Sequence, residues 1–260
     1  MIEKMVKSKK DLEEKSLAMT AFFETSNGYP DCFGVTAGNW DGAGLSHGVL
    51  QYNFKTGSLQ PLWNHMNNNH LDLCFEIFGA KHFEWEYYIN ADFAQQTTWC
   101  NEITDPNNKH QTLQPWKDMF MQLGTSEPSI AKQIEMTSHW RTNAEKWFFN
   151  LGLYSRRGYA LLWDISVQMG RLFPQNLILQ DFRNINTTGK TREQIEKEKL
   201  IIIVNRCSNY ENNINTTELN KIVYDRKIGI VNGTTTAGFN IAQYDLEYEP
   251  AFMGGIFSGN

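Results

Sequence analysis

Apolar positions in residues 10–25 recur at helical spacing. Leu12, Leu17, Met19 (or Ala18), Phe22 and Phe23 are separated by charged residues, which predicts an amphipathic helix. Asn27-Gly28-Tyr29-Pro30 joins turn formers to a proline and stops it. The period then changes. Over residues 31–53 short β-like runs such as HGVLQYN alternate with glycines, and the pattern predicts a hairpin or three-stranded sheet near 33–53. From Leu59 the spacing is helical again, punctuated at 67–69, at Asp105-Pro106-Asn107-Asn108 and at Glu127-Pro128.

Two further helices are expected over 129–150 and 156–169. The second, RRGYALLWDISVQMG, is nearly all apolar and belongs in the core. NINTTGK (184–190) reads as a loop. Residues 191–207 start charged and end apolar, as a helix that becomes buried would. An asparagine-rich loop is expected over 209–217, then a last helix over 218–232 that ends at Asn232-Gly233. The tail from Thr234 is too rich in Gly and Thr to assign. No segment has linker composition, and 260 residues suffice for two lobes around a cleft. The expectation is one mainly α (α+β) domain, bilobal, with a small sheet near its N-terminal end.

Composition narrows the function classes. Aromatic residues reach 13%, with eight Trp, which a bulky core and a ring-lined sugar groove would each explain. The net charge of −5 argues against nucleic acid, whose binding needs a basic surface. It suits a cationic polymer without selecting one. The four cysteines, Cys32, Cys74, Cys100 and Cys207, are scattered without zinc spacing. Four free thiols are expected, with one or two disulfides as the alternative. The six histidines form no HExxH-like pattern, so neither metal nor cofactor is expected. The charged N-terminus has no apolar signal core, and no run approaches the roughly 18 apolar residues that span a bilayer. Synthesis in the cytoplasm is expected, with no membrane partner.

The candidate chemistry lies in residues 21–53. A glycosidase protonates a poor leaving group while a second carboxylate helps water attack the anomeric carbon. Glu24 follows Phe22-Phe23 at the end of the first helix, where apolar neighbours and the helix C-terminus would raise a carboxyl's pKa. Taken alone, it reads more readily as an exposed helix-end glutamate. Asp41 lies in the glycine-rich turn DGAGLSHG, which a substrate can approach closely, although Asp-Gly is also a common turn signal. Ser46, beyond the turn, could hold a water beside Asp41. Gln51 and Asn53 alternate with Leu50 and Tyr52 and would put two amides on one strand face. With Tyr29, Trp40 and His47 they make up the expected substrate contacts. Asp164 lies among Leu161, Leu162, Ile165 and Val167, where a buried charge requires a cationic partner or a bound proton.

Glu24 followed by DGAGLSHG resembles the lysozyme superfamily, most specifically its bacterial chitosanase branch. That branch carries a glutamate at the end of an early helix and then a DGRGYT-type hairpin. The resemblance implies Glu24 as general acid, Asp41 as general base and Ser46 as the residue that positions the nucleophilic water. YALLWDISVQMG resembles the helix in which that branch keeps a buried aspartate paired with arginines. This implies Asp164 as structural support, with Arg206 or Arg226 as its partner. GLSHGVLQYN also resembles the GLMQ-type stretch of lytic transglycosylases and goose-type lysozymes, which bind peptidoglycan. Ala43, where the chitosanase hairpin commonly has an arginine, moves the expected substrate toward peptidoglycan.

The expected protein is a muramidase-like hydrolase of β-1,4 bonds in cell-wall glycan. It would reach the wall after release through a membrane lesion, or carried on a virion or tail assembly. Chitosan hydrolysis, lytic transglycosylation and a non-catalytic virion protein of the same fold are the alternatives.

Overall fold

The computed structural model describes the backbone of residues 2–170, 172, 174–210, 217–234, 240–244 and 246–251. Among the described residues the chain is mainly helical with one small antiparallel sheet. It forms two compact units, residues 1–20 with 138–260 and residues 21–137. The loop expected over 209–217 and the unassigned tail lie largely outside the described residues.

The first helix, α1 (Ile2–Thr25), begins well before residue 10 and supplies residues to both units. Ser26 ends it in the left-handed region, at φ 60°, and its N–H donates to the Phe22 carbonyl.

In the 21–137 unit the strands are β1 (Thr36–Ala37), β2 (Ser46–His47) and β3 (Tyr52–Asn53), in that order. Thr36 pairs with His47, and Ser46 with Asn53. They are short because the run expected to be continuous β is half turn, with Gly48 at φ 81° and Gln51 at φ 53°. A Cβ on Gly48 would lie 2.2 Å from Gln133 Oε1, so the turn needs glycine for space as well as angle.

Six helices follow: α2 (Leu59–Asn69), α3 (Leu71–Phe78), α4 (His82–Asn90), α5 (Phe93–Glu102), α6 (Trp116–Thr125) and α7 (Glu127–Met136). Aromatic rings fill the space between them. Trp63 stacks on Phe120 (5.1 Å between ring centres) and Phe78 on Trp85 (4.5 Å), while Trp99 meets Trp116 edge-on at 5.2 Å. Six of the eight tryptophans (63, 85, 99, 116, 147 and 163) are buried, so most of the tryptophan content is core.

The other unit contains α8 (Ser138–Asn150), α9 (Arg156–Met169), α10 (Gln175–Arg183), α11 (Arg192–Tyr210) and α12 (Thr217–Asn232). The helix expected over 129–150 is two helices, broken at Thr137, whose hydroxyl turns back onto the Ile134 carbonyl (2.6 Å). As its composition predicts, α9 is central. Every residue from Arg157 to Ser166 is buried, and the helix packs on α8 and α12. Ser155 caps it by accepting from the Gly158 N–H, and buried Glu196 accepts from the Ser155 hydroxyl.

All four cysteines are buried, and among the described residues none forms a disulfide. Burial pushes the Cys32 and Cys100 thiols up to about 12 and Cys74 to about 11. Among the described residues no helix is long and apolar enough to cross a membrane, and no group of three or more His, Cys, Asp and Glu could hold a metal ion.

Candidate active site

Glu24 occupies the last turn of α1 and is exposed. It is the exposed helix-end glutamate that its position alone suggests, not a carboxyl sheltered by Phe22-Phe23. Successive helix residues point about 100° apart, so Glu24 cannot share the inward face of both rings, which are themselves only partly buried.

Asp41 is also exposed, at the tip of the β1–β2 connection. Its Oδ1 accepts from the Ala43 N–H (2.9 Å), closing an Asx turn, and Gly42 and Gly44 follow the bend at φ 76° and 79°. The connection is clamped from behind. The Asn39 N–H donates to Thr104 Oγ1 (2.9 Å), Asn39 Nδ2 donates to Asn101 Oδ1 (2.8 Å), and Asn39 Oδ1 accepts from the Gly44 N–H (3.0 Å). The Leu45 N–H donates to Cys100 Sγ at 3.2 Å. Buried Gln133 holds the far end of the sheet, taking the Val49 N–H on Oε1 (2.9 Å) and donating Nε2 to the Phe33 carbonyl (3.0 Å). An acid on such a loop is held by a rigid support. Sequence reading missed Asn39, Asn101, Thr104 and Gln133, because their partners lie up to 100 residues away and no spacing signals them.

The other expected contacts separate. Trp40 is 54% exposed, and its ring packs against exposed His110 (4.9 Å between ring centres, 32°), a further residue the sequence did not single out. Tyr29 is 59% exposed and meets Phe33 edge-on. Ser46 is partly buried in the middle strand, between Ala37 and Asn53.

Three contacts need correction. His47 is wholly buried between the rings of Trp63 and Phe120, with Nδ1 on the Thr36 hydroxyl (3.0 Å), so it cannot touch a polymer. Alternation along β2 puts it inward whenever Ser46 faces outward. Gln51 and Asn53 do not share a strand face. Gln51 sits in the turn, donating to the Gly48 carbonyl (3.0 Å), and Asn53 Oδ1 accepts from the Thr56 N–H (3.0 Å). Local turns engage one end of each amide.

Burial pushes the His47 imidazole from an ordinary 6.5 down to about 3. The folded chain then keeps it neutral where the unfolded chain takes up a proton. The associated stability is complete above pH 6.5 and is lost as pH falls toward 3, at about 1.4 kcal/mol per pH unit. Between pH 6.5 and 4.5, urea titrations should show a loss of about 2–3 kcal/mol from this residue. The loss should be absent in His47→Phe, and an equal slope in that variant would remove His47 as its source.

The support residues lie in the other unit. Asp164, at the middle of α9, is fully buried and takes Arg226 of α12, whose Nη2 reaches Oδ1 at 2.5 Å and whose Nε lies 3.1 and 3.2 Å from the two oxygens. Thr20 also donates to Oδ1 (3.3 Å). Arg206 is not part of this group. It pairs with Asp181, Nε to Oδ2 at 2.6 Å and Nη2 to Oδ1 at 2.9 Å.

No known protein family and no curated protein matches the sequence. Among solved structures, the chain is similar to a native chitosanase from Bacillus subtilis MY002, with a TM-score of 0.49 and 14% identity over 89% of this chain and 92% of that one. A point-mutant chitosanase from the same source, complexed with 6 GlcN, gives a TM-score of 0.46 and 12% identity over 88% and 91%.

Proposed function

We propose that this chain is a glycoside hydrolase that cleaves the β-1,4 bonds of peptidoglycan glycan strands by acid–base catalysis with inversion. One observation carries the reading. The 21–137 unit exposes a carboxyl at a helix end, Glu24, and another, Asp41, on a hairpin tip held by side-chain bonds from behind. Glu24 donates its proton to the glycosidic oxygen as the bond to the anomeric carbon breaks. Asp41 takes a proton from the water that attacks that carbon from the opposite face, with Ser46 steadying the water. Since Glu24 is exposed, the desolvation that keeps an acid protonated comes from the polymer lying over it. The exposed Trp40 ring, packed against His110, offers a flat surface for a pyranose.

Peptidoglycan is put first because Ala43 stands where the chitosanase-type hairpin commonly carries an arginine, and because GLSHGVLQYN resembles the stretch of peptidoglycan-binding enzymes. A specific observation favours chitosan as a second reading. Residues 21–54 contain Glu24, Asp31 and Asp41, all exposed, and no Lys or Arg, which suits a cationic glucosamine polymer.

Mass spectrometry of products from purified cell walls and from chitosan separates the outcomes. Hydrated reducing ends from cell walls are expected. Release from chitosan alone would move the substrate to the second reading. Anhydro ends would make the chain a lytic transglycosylase, and no release from either polymer would leave a non-catalytic protein.

A further inference from the structure

A pocket of about 580 Å³ opens at the corner of α4 and α5, and the chemistry above makes no use of it. Phe83, Tyr87 and Asn90 follow one another along one face of α4, Asp92 and Gln95 begin α5, and Glu86 completes the polar lining. Phe83 is 66% exposed and Tyr87 55%. The patch continues onto α3, where Phe75 meets Phe83 edge-on at 5.7 Å. Contiguous exposed rings beside polar groups mark a recognition surface, and the volume lies within the usual range of ligand sites.

These rings are set in place beforehand. Gln95 Nε2 donates to the Tyr87 hydroxyl at 2.9 Å. Tyr87 packs edge-on against Tyr88 (5.0 Å), which stacks on the buried Trp99 ring at 4.9 Å. The carboxylates keep acceptor capacity. Asp92 takes the Gln95 N–H and Glu86 takes Asn67 Nδ2, each at 2.9 Å, whereas a carboxylate has about four acceptor positions. No Lys or Arg lines the pocket.

Flat rings beside carboxylates and amides suit a pyranose, which presents C–H faces to rings and hydroxyls to acceptors. Two carboxylates without a basic neighbour add a preference for an ammonium group. A second copy of the chain fits poorly, because a symmetric contact would set Glu86 and Asp92 against their own counterparts in a chain of net charge −5.

We propose that this pocket is a second, non-catalytic carbohydrate site that holds glucosamine-containing oligosaccharide. It takes its polymer from the second, chitosan reading of the proposed function but needs neither Glu24 nor Asp41. The test is a titration of 15N-labelled Glu24→Gln protein with glucosamine hexamer, followed by amide shifts. Saturable shifts are expected over residues 83–95. Phe83→Ala/Tyr87→Ala should weaken them at least tenfold. Glu86→Gln/Asp92→Asn, in which asparagine can still cap α5, should weaken glucosamine binding more than binding of the N-acetylated hexamer. Three results would overturn the site: no saturable shift with either hexamer, undiminished affinity in the aromatic double variant, or shifts that follow protein concentration without sugar, which mark self-association. Binding here without hydrolysis by the unsubstituted protein would sink the proposed function and leave this site standing. Hydrolysis without binding here would do the reverse.

Discussion

Glu24→Gln is expected to lower kcat on cell-wall glycan by about 10²–10⁴-fold, the usual worth of a positioned general acid. KM and the urea midpoint should stay near those of the unsubstituted protein. Glutamine keeps the shape and hydrogen-bonding reach of the side chain but has no proton of suitable acidity to give the leaving oxygen. The loss therefore belongs to the transition state and should fall on kcat. Glu24 is exposed at a helix end, so the change disturbs little packing. Asp41→Asn distinguishes two chemistries. If Asp41 activates water, its loss should be comparable in size. If the product forms by internal attack within the sugar, only Glu24 is required and Asp41→Asn turns over nearly normally. Near-normal turnover by Glu24→Gln would end both readings.

The two candidate acids stand out in the sequence because each coincides with a local signal. Glu24 closes an amphipathic repeat just before a turn, and Asp41 sits in a run of glycines. Local signals also set the limit. Exposure of Glu24 follows from the rotation of one helix, which the pair Phe22-Phe23 does not define. His47 was misread as a contact because a histidine in a glycine-rich stretch looks like a surface residue. A single step of β alternation places it between Trp63 and Phe120 instead. The hairpin's supports were invisible for a different reason. Asn39 reaches Asn101 and Thr104, and Gln133 reaches Val49 and Phe33, and such bonds leave no mark in spacing.

Elements with long repeats are legible in the sequence. The buried helix α9, the late helices α11 and α12 and the change of period at residue 31 all appear. Misses occurred where one residue decides a boundary. Thr137 ends a helix by bonding its own preceding turn, although the apolar repeat runs on through it. Gly48 and Gln51, both at positive φ, cut an apparent seven-residue strand to two residues. The short α10 had no counterpart in the pattern, because nine residues between a proline and an asparagine-rich loop carry too few repeats to register.

The second large effect concerns the charge inside α9. Asp164→Asn is expected to destabilise the protein by about 3–5 kcal/mol, because it leaves the Arg226 guanidinium inside without its carboxylate. The Asp164 side chain has no exposed surface and that of Arg226 has 10%. Taking two charges out of water is costly, and their mutual attraction offsets that cost only while both are present. Replacing the pair together should consequently be far milder than removing either member. Asp164→Leu/Arg226→Met is expected to recover most of the stability lost in Asp164→Asn, a non-additivity that a double-mutant cycle with the matching single variants reads directly. Arg206→Met provides the contrast. Its bidentate bond to Asp181 is as short as the buried one, but the two side chains are 38% and 26% exposed. Water replaces such a partner readily, so the urea midpoint of Arg206→Met should stay close to that of the unsubstituted protein. Equal losses in Asp164→Asn and Arg206→Met would mean that burial is not what makes the α9 pair costly to break.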